Sequence, residues 1–103
     1  MTPFSKRLKD FKPLVFDGGM GTELFKNGVE LANSSLANLQ FPEVVKEIHS
    51  SYIKSGSDVI GTNTFVASEL HLEMAGVDGK EIDKIVQSAV ECAQGAIKAS
   101  NRQ

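Results

Sequence analysis

Leu14-Val15-Phe16-Asp17-Gly18-Gly19-Met20-Gly21-Thr22-Glu23 is the stretch on which the reading of this chain turns. Three apolar residues run straight into an acid, and three glycines follow in four positions. An apolar run this short reads as a buried strand rather than a helix. The glycines permit a tight turn and close approach of a ligand to the main chain. Thr22 and Glu23 then begin a helical turn. A strand that ends in an acid and opens into a glycine turn suits a small charged ligand. Asp17 faces an ammonium group in such a reading, and the N–H groups of Gly18, Gly19 and Met20 face a carboxylate or phosphate. The plain alternative is a strand-to-helix turn in which Asp17 is only a cap.

Upstream, residues 1–13 are polar and basic, with Lys6, Arg7, Lys9 and Lys12 offset by acids elsewhere. They read as a solvated leader, with Phe4, Leu8 and Phe11 at helical spacing and Pro13 ending any helix. Downstream, residues 22–27 read as a short helix stopped by Asn27-Gly28. Residues 29–40, with Asn33, Ser34, Ser35 and Asn38, read as a long loop beside the glycine turn, placed to cover it. Pro42 opens a helix that runs to Ser55-Gly56, with Val45, Ile48 and Tyr52 on its buried face and Val44 and Ile53 on the flanks. Residues 58–62 read as a second strand, continued by Asn63, Thr64 and Phe65. Strand, helical crossover and strand make a βαβ unit with parallel strands, whose C-terminal ends share one rim. Asp17-Gly18-Gly19 and Thr62-Asn63-Thr64 converge there, and ligands of α/β proteins bind at that rim.

A third helix is expected over residues 67–75, with Leu70 and Met74 on one face and Gly76 as its stop. A last helix is expected from about residue 81 to 100. Ile82, Ile85, Val86, Ala89, Val90, Ala93 and Ile97 form its apolar stripe, which calls for a sheet to pack against. The fold class read here is α/β, and two parallel strands alone leave both edges unpaired. The expectation is therefore the front part of a larger α/β domain.

The chain has 103 residues, 41% hydrophobic and 23% charged, the composition of one ordinary globular domain. A net charge of −2 gives no electrostatic reason to expect nucleic acid or an anionic membrane. No apolar run approaches the ~20 residues that span a bilayer, and no secretory core is visible. The lone Cys92 has no internal disulfide partner, which suits a cytoplasmic, reducing compartment. A single thiol does not make a zinc site by itself, and Cys92 reads as a buried or half-buried structural thiol. His49 and His71 lack partners at metal-ligand spacing and read as structural or surface residues. Tyr52 reads as a packing residue with an outward hydroxyl, and Asn63 as either a helix cap or a pocket residue. Glycine-rich nucleotide loops fit only in part: Leu24 stands where the dinucleotide fingerprint needs its third glycine, and no Lys precedes Ser or Thr as a phosphate loop requires.

Three motifs in order carry a family resemblance. The segment from Asp17 to Glu23, the segment from Pro42 to Tyr52, and Ser55-Gly56-Ser57-Asp58-Val59-Ile60 with Thr62-Asn63-Thr64-Phe65 resemble the N-terminal part of the homocysteine S-methyltransferase domain. That family includes the homocysteine-binding module of methionine synthases and the betaine- and S-methylmethionine-dependent enzymes. The resemblance implies a (β/α)8 TIM barrel, of which residues 14–103 would hold the first two parallel strands and their helices. It implies methyl transfer to the homocysteine thiol, giving methionine, with homocysteine as partner and the methyl donor unspecified. It also implies zinc in the full-length domain, held by three cysteines on later strands, which makes the thiolate available at neutral pH.

Carried over residue by residue, Asp17 holds the homocysteine amino group, Gly18 and Gly19 offer backbone donors to its carboxylate, and Thr62, Asn63 and Thr64 line the pocket. None of these residues is expected to be catalytic. No metal is expected on this chain alone, which on this reading is an N-terminal fragment inactive by itself. The alternative reading is a stand-alone α/β module that binds an amino acid, or self-associates through its unpaired strand edges, without catalysis.

Overall fold

The computed structural model describes residue 6 and residues 13–100. All but Lys6 and Pro13 of the expected basic leader lie outside the described residues. Among the described residues from Pro13 onward, the helices in order are α1 (Gly21–Lys26), α2 (Ala37–Gln40), α3 (Pro42–Lys54), α4 (Glu69–Met74) and α5 (Ile82–Ser100). Short 3-10 turns at Ser34–Leu36 and Gly79–Glu81 lead into α2 and α5.

The expected α/β class, with the first two parallel strands of a (β/α)8 barrel, is corrected by the structure. The described residues are mostly helical and contain no strand, only one isolated parallel bridge between Phe16 and Val59. Two backbone bonds define it, Asp17 N–H to the Val59 carbonyl at 3.0 Å and Val59 N–H to the Val15 carbonyl at 3.2 Å. The neighbouring rungs are intercepted. A continuing ladder needs the Gly61 N–H on the Asp17 carbonyl, but that N–H donates to the Asp17 carboxylate, Oδ2, at 3.0 Å. In the other direction the Val15 N–H donates to Asp58 Oδ2 at 2.9 Å, and the Ser57 N–H turns back to the Tyr52 carbonyl at 3.0 Å. Side-chain acceptors thus compete with the ladder. With no third segment alongside, nothing offsets that competition, and Val15 and Phe16 remain 54% and 62% exposed.

The core lies between helices. α3 packs chiefly on α5, and α2 wedges against both. Leu24, Val29, Ala37, Val45, Ile48 and Cys92 form one buried cluster, with Met20, Leu31, Val44 and Tyr52 packed against it. The apolar stripe of α5 therefore meets a helix rather than the expected sheet. Its buried line is Ile85, Ala89, Cys92, Ala93 and Ala96, while Val86 and Val90 stay exposed. The small residues on that line let the two helices approach closely. At α4, Leu70 and Met74 share a face and are 65% and 75% exposed, and Leu72 is the fully buried residue. The helix is shorter than expected because Ser68 caps it, accepting from the His71 N–H at 3.2 Å.

Helix stops match their glycines. Gly28, Gly56 and Gly76 each follow a helix with φ of 80°, 107° and 80°, the left-handed region open to glycine. Residues 29–40, expected as a loop, instead hold a 3-10 turn and α2. Their polar side chains point inward. Asn33, Ser35 and Asn38 are all buried. Asn33 accepts at Oδ1 from the Ser35 N–H at 3.0 Å and from the Ser35 hydroxyl, and donates from Nδ2 to the Val66 carbonyl at 2.8 Å. Among the described residues no helix is long and apolar enough to cross a membrane.

Candidate functional site

The glycine turn and the segment after the bridge share one cleft of about 410 Å³. Asp17, Gly18, Gly19, Thr62, Asn63 and Thr64 all line it, joined by Met20, Gly21, Ser34, Gly61 and Phe65. The single bridge suffices to bring the two segments together, since the chain leaves Phe16 and Val59 in the same direction.

Each side chain has a distinct condition. Asp17 spends Oδ2 on the Gly61 N–H and keeps Oδ1 beside the same residue, 4.0 Å from where a Gly61 Cβ would stand. One carboxylate oxygen thus ties the glycine turn to the segment after the bridge. Gly18 and Gly19 are exposed. A Cβ at Gly18 would lie 2.9 Å from the Tyr52 hydroxyl and 3.1 Å from its ring, so a side chain there displaces Tyr52. A Cβ at Gly19 would meet nothing within 4 Å. The hydroxyls of Thr62 and Thr64 sit 3.0 Å apart and share a hydrogen bond at the exposed rim.

Asn63 is buried and its amide is already engaged. Nδ2 donates to the Ser34 carbonyl at 2.9 Å and to Asn38 Oδ1 at 3.2 Å. Asn38 returns a bond from Nδ2 to the Asn63 carbonyl at 2.8 Å and reaches the Ile85 carbonyl on α5 at 3.5 Å. Asn63 caps no helix; Ser68 does that. Its Nδ2 ties the cleft wall to Ser34 and Asn38. Ser34 and Asn38 are the residues that the sequence reading missed. The signal was present: residues 31–42 carry no charged side chain, which a solvated loop of that length would rarely lack.

Behind the cleft stands α3. The Tyr52 hydroxyl, expected to point outward, donates to the Gly19 carbonyl at 2.7 Å. Burial pushes its phenol up, with the charges of Glu23 and Asp17 adding and that of Lys26 opposing, so it stays a donor at neutral pH. One turn earlier, His49 is fully buried and neither ring nitrogen has a hydrogen-bond partner. Burial pushes its imidazole down, with Asp17 pulling the other way, so it is held neutral. His71 is exposed, its Nδ1 2.7 Å from the Ser68 hydroxyl.

Cys92 lies in the core with Sγ 3.8 Å from the Pro42 carbonyl. Burial raises its thiol; Glu43 and Glu91 add to this and Lys46 opposes it. Among the described residues no three His, Cys, Asp or Glu side chains gather as metal ligands. The zinc implied by the resemblance therefore finds no fitting ligand set here.

An acid, an exposed glycine turn and a pair of hydroxyls thus line one cleft. Residues 14–103 match the family model described as homocysteine S-methyltransferase, and the chain belongs to that family. Homocysteine S-methyltransferase 2 of Zea mays is 30% identical over 83 residues, covering 78% of this chain and 24% of the relative. Homocysteine S-methyltransferase YbgG of Bacillus subtilis is 28% identical over 100 residues, covering 93% of this chain and 31% of the relative. The crystal structure of the homocysteine methyltransferase MmuM from Escherichia coli, metallated form, superposes with a TM-score of 0.77 at 27% identity, over 92% of this chain and 34% of that one. The chain thus spans between about a quarter and a third of the length of these relatives.

Proposed function

We propose that this chain carries the amino-acid-holding part of the homocysteine site of a cytoplasmic homocysteine S-methyltransferase that works in methionine formation. The observation that supports it is the meeting of Asp17, Gly18, Gly19, Thr62, Asn63 and Thr64 around one cleft. In this reading Asp17 Oδ1 takes the ammonium group of homocysteine, as a charge-assisted hydrogen bond. The N–H groups of Gly18 and Gly19 take the carboxylate. Thr62 and Thr64 form the polar rim, and Asn63 acts through its backbone while its amide stays with Ser34 and Asn38.

Methyl transfer needs more than this grip. The homocysteine sulfur must be made a thiolate, and no residue near the cleft does that. Cys92 is buried on α5 and turned to the Pro42 carbonyl. The described residues do not fit the zinc that the resemblance implies, so no step is derived through it. On its own the chain binds and orients the amino-acid end of the substrate and does not transfer a methyl group.

Isothermal titration of the purified chain with L-homocysteine, beside a thermal melt, tests the reading. Saturable binding that weakens about 10- to 100-fold in Asp17→Asn supports it, the range expected for losing a hydrogen bond to a charged group. A folded chain with no homocysteine heat, or one whose affinity ignores Asp17→Asn, sinks it.

A further inference from the structure

Tyr52 is half-buried and does not line the cleft, yet two of its contacts reach the glycine turn. Its hydroxyl donates to the Gly19 carbonyl at 2.7 Å, across 33 residues of sequence. Its ring and hydroxyl fill the space where a Gly18 side chain would begin, at 2.9–3.3 Å from an ideal Cβ. The ring is anchored in turn, since Tyr52 packs against the cluster of Leu24, Val29, Ala37, Val45, Ile48 and Cys92. A peptide group is planar and trans, so fixing its carbonyl also fixes its N–H, which points the opposite way. Pulling the Gly19 carbonyl toward α3 therefore turns the Met20 N–H of that same peptide away from α3, and Gly19 and Met20 both line the cleft. Glycine turns are otherwise free to rotate their peptides, and that freedom is lost on binding.

We propose that Tyr52 is a positioning residue for the amino-acid site: it holds the Gly19–Met20 peptide, so that the Met20 N–H is set to join the Gly18 and Gly19 amides on the substrate carboxylate before the substrate arrives. This rests on the homocysteine reading given above. It gives the close contact of Tyr52 with the exposed Gly18 a function. It also assigns to α3 a role beyond packing, since one helix would both close the core and set the ligand's donors.

The test uses the full chain and three variants, Tyr52→Phe, Gly18→Ala and Gly18→Ala in a Tyr52→Leu background. Amide nitrogen–proton spectra of the free chain and calorimetric titration with L-homocysteine are the readouts, with thermal melts alongside. Tyr52→Phe keeps the ring and so the packing. It should shift the Met20 amide, whose peptide shares the Gly19 carbonyl, and weaken homocysteine about five-fold or more, the loss of one ordinary hydrogen bond. The melting midpoint should move little by comparison. Gly18→Ala should weaken binding strongly beside Tyr52, and weaken it less once Leu stands at position 52.

A Met20 amide unmoved by Tyr52→Phe overturns the proposal. So does a shifted amide with unchanged homocysteine affinity, or an equal cost of Gly18→Ala in both backgrounds. A wild-type chain that takes no homocysteine, while Tyr52→Phe still moves the Met20 amide, overturns the homocysteine reading and leaves the hold of Tyr52 on the turn standing.

Discussion

Asn38→Ala should cost this chain more than any exposed substitution, and the cost follows from the bonds of one side chain. Asn38 is 1% exposed. Its amide orientation is set by its neighbours, because Nδ2 faces two carbonyls, those of Asn63 at 2.8 Å and Ile85 at 3.5 Å, while Oδ1 receives Asn63 Nδ2 at 3.2 Å. Asn63 Nδ2 keeps the Ser34 carbonyl after the change, but the Asn63 carbonyl loses its short bond. An orphaned buried acceptor costs about 1–3 kcal/mol. The void left by the amide adds on the order of 1 kcal/mol. The sum, roughly 2–4 kcal/mol, is a large share of the 5–15 kcal/mol typical of a domain. It corresponds to a fall of roughly 10–25 °C in melting midpoint for a chain of this size. Asn38→Asp sharpens the test: it keeps the size and the acceptor for Asn63 but sets an oxygen against two carbonyls. Urea denaturation should therefore rank the wild type first, Ala second and Asp last at neutral pH. A loss under about 0.5 kcal/mol for Ala, or an Asp variant as stable as the wild type, would refute the assignment of Asn38 as the clamp between the cleft wall and α5.

Three further outcomes are expected. His49 is buried and neutral, so its folded value lies below the ordinary 6.5 of the unfolded chain. Its contribution is whole above that pH and is lost as pH falls below it, because the unfolded chain takes the proton first. Urea midpoints measured from pH 8 to pH 5 should decline, and His49→Leu should flatten the decline; an unchanged slope would contradict the burial of the ring. A colourless-to-coloured thiol reagent should leave Cys92 untouched in the native chain and label it fully in denaturant, since burial both shields the thiol and raises its pKa. Gly76→Ala, at a φ of 80°, should destabilise by about 1–2 kcal/mol, while Gly21→Ala, in α1 with nothing within 4 Å of the new methyl, should be neutral or stabilising in the same melt.

Much of the local structure was legible because it depends on neighbours in sequence. The stops at Gly28, Gly56 and Gly76, the start of α3 at Pro42 and the extent of α5 are all set by residues within a turn of each boundary. The residues gathered at the cleft were legible too, because only two segments had to converge. What failed depends on the partner. The stripe of α5 correctly announced burial but not what it is buried against, and a helix rather than a sheet took that place, rotating Val86 and Val90 outward. The same ambiguity left Leu72 unnoticed, the buried residue of α4, while Leu70 and Met74, at helical spacing, face solvent. The strands failed because two apolar segments predict extended backbone, while a ladder requires donors that no nearby carboxylate claims.

That competition also explains why the cleft is ordered without a sheet. Beyond the bridge at Phe16 and Val59, pairing passes from backbone to side chains: Asp17 Oδ2 takes the Gly61 N–H on one side, and Asp58 Oδ2 takes the Val15 N–H on the other. The wall formed by residues 61–66 is then tied laterally, through Asn33 to Val66 and through Asn38 and Asn63 to Ser34. Buried networks of this kind are rigid when every member is paired. Asp17 has a double position in the scheme. It closes the frame with one oxygen and, in the proposed reading, gives the other to the ligand, so neutralising it should loosen the Gly61 contact as well as weaken the ligand. A substitution at Thr62 or Thr64, whose hydroxyls bond only to each other at the rim, lacks that structural component. The ratio of affinity loss to stability loss should therefore be lower at Asp17 than at either threonine, which separates a residue that builds the site from residues that only line it.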